Sequence, residues 1–188
     1  MAWGGVRRLL SVLDHAGRNG AVSPLSPEEY QRELVLLGLS GREFGPADYA
    51  AALGTYLGIS ISIHVLAETR HPHIARQLAR SGTMAQLSYS EDPPTAVILA
   101  PSGLPSAVRA LSIYHELGHV AAGDPLTVWE DGTKTGRYVW PDRRLAERPP
   151  LHNEELRERE ADLRAAYSVV AGSLGPDSPY AQGVHDAL

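Results

Sequence analysis

Residues 95–120 read TAVILAPSGLPSAVRALSIYHELGHV, and the run closes on His115-Glu116-Leu117-Gly118-His119. Leu104, Val108, Leu111, His115 and His119 recur at three- and four-residue intervals, which predicts a helix from about Leu104 to Ala122. Positions i and i+4 of an α-helix lie one above the other on the same face. The two imidazoles can therefore converge on one divalent ion, and Glu116, beside the first, can reach a water on that ion. Two nitrogen ligands and a carboxylate that takes the proton of a metal-activated water are what a zinc hydrolase requires of such a helix. The competing reading is a surface helix with two incidental histidines. Against it, the histidines continue a stripe that reads as core-facing, where an imidazole without a partner is costly. Gly118 costs about 1 kcal/mol against Ala inside a helix, which predicts a close neighbour at that point.

A catalytic zinc needs a third protein ligand and an open position. The last long helix, predicted from about Glu154 to Ser173 with Asn153 as its cap, carries Glu158-Arg159-Glu160-Ala161-Asp162. Glu158 and Asp162 share a face with Ala165 and Val169, whereas Glu160 points about 200° away from Glu158. Glu158 is the preferred third ligand and Glu160 the alternative. The competing reading makes all three acids part of a solvated, salt-bridged face with Arg157, Arg159 and Arg164.

Working outward, Ser26-Pro27-Glu28-Glu29 combines an N-cap, a proline at the first helical position and a capping-box glutamate. It predicts a helix to about Leu37, stopped by Gly38. Pro46 to Leu57 reads as another, ended by Gly58, and residues 3–17 as an amphipathic N-terminal helix. Ile59, Ile61, Ile63 and Val65 alternate with polar residues at strand period. Met84–Ser90 and Thr95–Ala100 read as strands joined through Glu91-Asp92-Pro93-Pro94. Residues 67–82 are ambiguous, with IARQLARSG a candidate short helix. LTVWEDGTKTGRYVW reads as a hairpin turning at Asp131-Gly132. The expected fold class is α+β: a compact, single-domain metallopeptidase with a small, mainly antiparallel sheet and an HExxH helix. Along residues 1–188 this gives N-terminal helices over 1–58, the sheet and HExxH helix over 59–122, an insert over 123–150, a ligand helix over 151–174 and a tail over 175–188.

The chain has 188 residues, 43% apolar and 21% charged, which is globular composition. A net charge of −5, with only short basic pairs at Arg7-Arg8 and Arg143-Arg144, argues against direct nucleic-acid binding. The absence of cysteine excludes disulfides, thiolate-held zinc and thiol catalysis. No signal-peptide or membrane-spanning run is legible, so a soluble, cytoplasmic protein is expected.

Taken together, the strand Thr95–Ala100, the segment Ala107–Tyr114 and the motif His115-Glu-Leu-Gly-His resemble the ImmA/IrrE family of bacterial and phage metallopeptidases. That family follows a strand of I-L-I-N type with an arginine-bearing helix start and the zinc motif, then completes the site with Glu-x-x-Ala-(Asp/Asn), which Glu158–Asp162 matches. Ile59–Val65 sits where the family has L-G-I-x-I, and the resemblance covers roughly residues 46–170. It implies Zn2+ held gluzincin-fashion by His115, His119 and Glu158, with Glu116 as general base and Asp162 orienting a ligand histidine. It implies an endopeptidase acting on a protein substrate, a helix-turn-helix transcriptional repressor being the partner type. The chain departs from the family after the second motif, where Leu163-Arg164-Ala165-Ala166-Tyr167 stands in place of a Phe-Ala pair and a Leu-Leu-Met-Pro-like stretch, and in the insert at 125–142.

Oxyanion stabilisation needs a hydrogen-bond donor; Tyr138, His152 and Tyr167 are the candidates, with Tyr114 ranked below them because it points about 100° from His115. His71-Pro72-His73, read as extended, would splay its imidazoles to opposite sides. Trp129, Tyr138 and Trp140 could line a peptide-binding wall or pack the hairpin on the core. Two other functional classes stay open at this stage: a non-catalytic zinc-binding module that controls a regulator by binding, and a toxin component.

Overall fold

A computed structural model describes residues 25–67, 70, 72–81, 84–130, 133–137, 144–145, 151 and 153–174. Its elements are α1 (Pro27–Leu36), α2 (Pro46–Leu57), β1 (Ser60–Leu66), α3 (Pro72–Ser81), β2 (Gln86–Ser90), β3 (Thr95–Pro101), α4 (Ser106–Ala122), β4 (Leu126–Glu130), β5 (Thr133–Arg137) and α5 (Glu154–Leu174). The expected N-terminal helix over 3–17, the turn at Asp131-Gly132 and the tail over 175–188 lie outside the described residues.

The local signals act as their chemistry requires. Ser26 Oγ accepts from the Glu29 amide at 3.2 Å, and the Glu29 carboxylate accepts from the Ser26 amide at 2.8 Å, closing the capping box that starts α1. Asn153 Oδ1 accepts from the Glu155 amide at 2.8 Å and so starts α5. Gly58 ends α2 at φ 65°, a left-handed conformation that a side chain resists. The ambiguous stretch 67–82 forms a helix from Pro72. His73 is therefore exposed on a helix rather than in an extended pair, and His71 lies outside the described residues.

The sheet runs in the order β1-β3-β2 and is mixed rather than mainly antiparallel. β2 and β3 form the expected hairpin, with Leu87 opposite Ile98 and Tyr89 opposite Ala96. β1 lies parallel to β3, with Ile63 beside Ile98. The cause is connectivity: the chain reverses once through α3 between β1 and β2 and again in the β2–β3 hairpin, so β3, lying between them, runs parallel to β1. β4 and β5 form a separate antiparallel pair within the insert.

One face of the sheet carries the core. Ala96, Ile98 and Ala100 of β3 are fully buried there, joined by Leu53 of α2 and Leu117 of α4. α2 packs against β1, α4 against β3, and α5 lies along α4, with α1 closing over α5. The α4–α5 contact is tight because both helices present small residues. A Cβ placed on Gly118 would stand 3.0 Å from Ala161 Cα and 3.2 Å from its carbonyl oxygen. This is the close neighbour that a glycine in mid-helix implied.

Gly118→Ala should therefore destabilise the protein by about 1–3 kcal/mol through overpacking, although Ala alone would favour the helix by about 1 kcal/mol. Urea unfolding measures the balance, and a neutral or stabilising result would show that the two helices can separate at no cost.

Candidate metal centre

α4 sets the first two side chains. Its deepest stripe is Ile113, Tyr114, Leu117, Gly118, Val120 and Ala121. The stripe holding Val108, Leu111, His115 and His119 is only half-buried, so the histidines border the core rather than face it. Their side chains are 23% and 15% exposed, dry enough to limit competition from water and open enough to admit a ligand. The two Nε2 atoms lie 3.1 Å apart.

α5 brings the third group. Glu158 Oε2 stands 3.3 Å from His115 Nε2, and Oε1 stands 3.6 Å from His119 Nε2. These three side chains could hold a metal ion: their ligand atoms all lie within 4.8 Å of one another. Glu160 is not part of the group. It is buried, and its Oε1 accepts from Arg164 Nη1 at 2.7 Å. The 200° rotation between positions 158 and 160 sends the two glutamates to different sides of α5.

Both histidines are held from behind. His115 Nδ1 is 2.8 Å from Asp162 Oδ1, one helical turn beyond Glu158. His119 Nδ1 is 2.9 Å from Asp124 Oδ2. Each carboxylate fixes its ring with Nδ1 protonated and Nε2 aimed at the shared point, as supporting acids do for metal-ligating histidines. Asp124 has no counterpart among the residues expected from the sequence, although a signal for it exists. α4 ends at Gly123 with φ 69°, the Gly123 amide donates to the Val120 carbonyl, and the Asp124 amide donates to that of His119. This paired closure is a Schellman turn. It folds the chain back so that the residue after the glycine meets the histidine of the last turn.

Charge follows from this packing. Burial alone would lower the His119 pKa, but hydrogen bonds to Asp124 and Glu158 outweigh it and push it up to about 9. Glu158 is lowered to about 2, chiefly by its hydrogen bond to His119, with burial opposing. A protonated His119 donates from Nδ1 to Asp124 and from Nε2 toward Glu158, with His115 Nε2 3.1 Å away. Glu116 is raised above the ordinary carboxylate range because burial and the charge of Glu158 outweigh the pull of the two histidines. A more basic carboxylate is a better proton acceptor near neutral pH.

Tyr89 is a further wall residue that sequence reasoning passed over. Its register opposite Ala96 puts it on the sheet face that carries the core. Burial, with the negative charge of Asp124 and Glu116, keeps its hydroxyl protonated well above the usual range. Two further tyrosine hydroxyls bond to backbone carbonyls. Tyr167 donates to the Leu25 carbonyl at 3.2 Å and Tyr114 to that of Phe44 at 3.3 Å, which removes Tyr167 from the oxyanion donors. Tyr138, His152 and Trp140, and the side chain of Trp129, lie outside what the structure describes.

Below about pH 9 a metal must displace the His119 proton. Apparent affinity should therefore weaken as pH falls, by up to ~10-fold per unit between about pH 9 and pH 7, and level off above pH 9. Chelator competition across that range checks this. An affinity independent of pH would show that His119 is neutral in the metal-free protein.

No protein-family model, no curated protein and no solved structure matches this chain.

Proposed function

We propose that the chain is a zinc-dependent endopeptidase acting on a partner regulatory protein, with a transcriptional repressor as the substrate type. The observation that carries this reading is the triangle of ligand atoms. Four ligands placed tetrahedrally at zinc's usual 2.0–2.1 Å are separated by about 3.3–3.4 Å. The two imidazole Nε2 atoms lie 3.1 Å apart, Glu158 comes within 3.3 Å of one through Oε2 and 3.6 Å of the other through Oε1, and one ligand atom from each of the three residues lies within 4.8 Å of the others. Two imidazole nitrogens and one carboxylate, each imidazole backed by an acid, are also the donor set of a catalytic zinc with one position left open.

When bound, zinc supplies Lewis acidity for the scissile carbonyl and lowers the pKa of water to about 7. The protein's own groups do the rest. Glu116, adjacent to His115 and raised in basicity by burial, takes the proton of the attacking water. It then returns that proton to the amine nitrogen of the departing peptide. Asp162 and Asp124 keep both imidazoles from turning while this happens. The repressor as substrate rests on the resemblance to the ImmA/IrrE family. Among the described residues no helix is long and apolar enough to cross a membrane, in keeping with a substrate met in water.

Protein purified without added metal should contain about one zinc per chain, and His119→Ala should contain none. Glu116→Gln should keep the zinc and lose at least ~100-fold in cleavage of a helix-turn-helix repressor encoded beside its gene, the lower end of general-base contributions. Absence of metal from the wild type even after zinc is supplied would sink the reading. Full regulatory effect in Glu116→Gln would instead favour control by binding.

A further inference from the structure

α5 has a second polar face that the metal centre does not use. Arg164 is 1% exposed, Glu33 of α1 5% and Glu160 6%. Arg164 Nε donates to Glu33 Oε2 at 3.1 Å, Nη2 donates to Glu33 Oε1 at 2.8 Å, and Nη1 donates to Glu160 Oε1 at 2.7 Å. The same face continues one turn on. The hydroxyls of Tyr30 and Ser168 are hydrogen-bonded at 2.7 Å, and the rings of Tyr30 and Tyr167 lie 5.4 Å apart. Residues 164, 167 and 168 thus reach α1, with Glu160 bracing Arg164 from within α5, while 158, 161 and 162 serve α4.

Burying three charges is a poor way to stabilise an interface. Apolar side chains of similar volume are often as good or better, because charges lose their hydration. What the cluster adds is direction. A guanidinium fork on both oxygens of one carboxylate accepts one rotation and one height of its helix, whereas packed aliphatic chains tolerate sliding and turning. A slip of one residue moves each side chain by 1.5 Å along the axis and 100° around it. Such a slip would carry Glu158 and Asp162 away from the histidines.

We propose that Glu33, Arg164 and Glu160 form a positioning pin that fixes the rotation and height of α5 and thereby sets Glu158 and Asp162 against His115 and His119. Arg164 is a positioning residue, since it touches neither metal nor substrate and works through the far side of its own helix. That this register matters for chemistry rests on the metallopeptidase reading. The register itself is a property of the metal-free protein.

The test compares wild type with the triple variant Glu33→Leu/Glu160→Leu/Arg164→Met, which leaves no charge stranded, and with Arg164→Lys, which keeps the charge and loses the fork. Two readouts are taken on folded protein: the 15N imidazole spectrum of His115 without metal, which reports its Nδ1–H bond to Asp162, and the zinc affinity from chelator competition. In the triple variant His115 should lose its single fixed tautomer, and zinc affinity should fall ~10-fold, the lower end for a displaced supporting group. Arg164→Lys should fall between the two. A folded triple variant with the wild-type imidazole spectrum and zinc affinity within about twofold of wild type overturns the pin. Should the triple variant fail to fold, Arg164→Lys decides by the same criteria. A wild type that takes up no zinc removes the peptidase reading, and the imidazole spectra still decide the pin.

Discussion

The arrangement depends on how closely α4 and α5 approach one another. Gly118 lets the backbone of α5 come against α4 at Ala161, and the ligands stand on either side of that contact: His115 and His119 around Gly118, Glu158 and Asp162 around Ala161. A larger residue at either point would widen the gap and take the carboxylates out of reach of the imidazoles. The same geometry explains why small residues occupy the middle of two helices that could otherwise gain from larger apolar ones. The close packing gives up some apolar burial, and side chains from distant parts of the sequence meet within hydrogen-bonding distance.

Around that contact the charges are unbalanced by design of the packing. Asp124, Glu158 and Asp162 contact the two imidazoles, and the hydrogen bonds and charge of Asp124 and Glu158 favour the protonated form of His119 against its burial. A site that grips a proton this firmly is also prepared for a divalent cation, since both are stabilised by the same carboxylates. Elsewhere on α5 one buried arginine is set between two glutamates, again an excess of acid over base. The helix therefore carries two polar clusters, a buried one against α1 and a half-exposed one beside α4.

Much of this was legible in the sequence because the signals were local. Ser26 and Glu29, Asn153, Gly38 and Gly58 mark helix ends through bonds to residues within five positions. The i,i+4 pairs His115/His119 and Glu158/Asp162 read as shared faces for the same reason. What escaped depended on partners far away or on the direction of a turn. Glu160 looked like an alternative ligand, and only its contact with Arg164, itself joined to Glu33 from 131 positions earlier, shows why it is not. Tyr167 read as a candidate oxyanion donor, but its hydroxyl donates to the Leu25 carbonyl, 142 positions earlier. The parallel pairing of β1 with β3 follows from the strand order β1-β3-β2, which strand periodicity does not encode.

The turn at Gly123 has a consequence for anyone who would move this site elsewhere. His119 and the carboxylate that orients it lie five positions apart, and the hydrogen bonds that close the helix at Gly123 set their relation locally. The segment His119–Asp124 is thus a portable unit. Grafted onto the last turn of another helix, it would deliver an imidazole with its tautomer already chosen. His115 has no such independence, because its supporting aspartate arrives on a different helix.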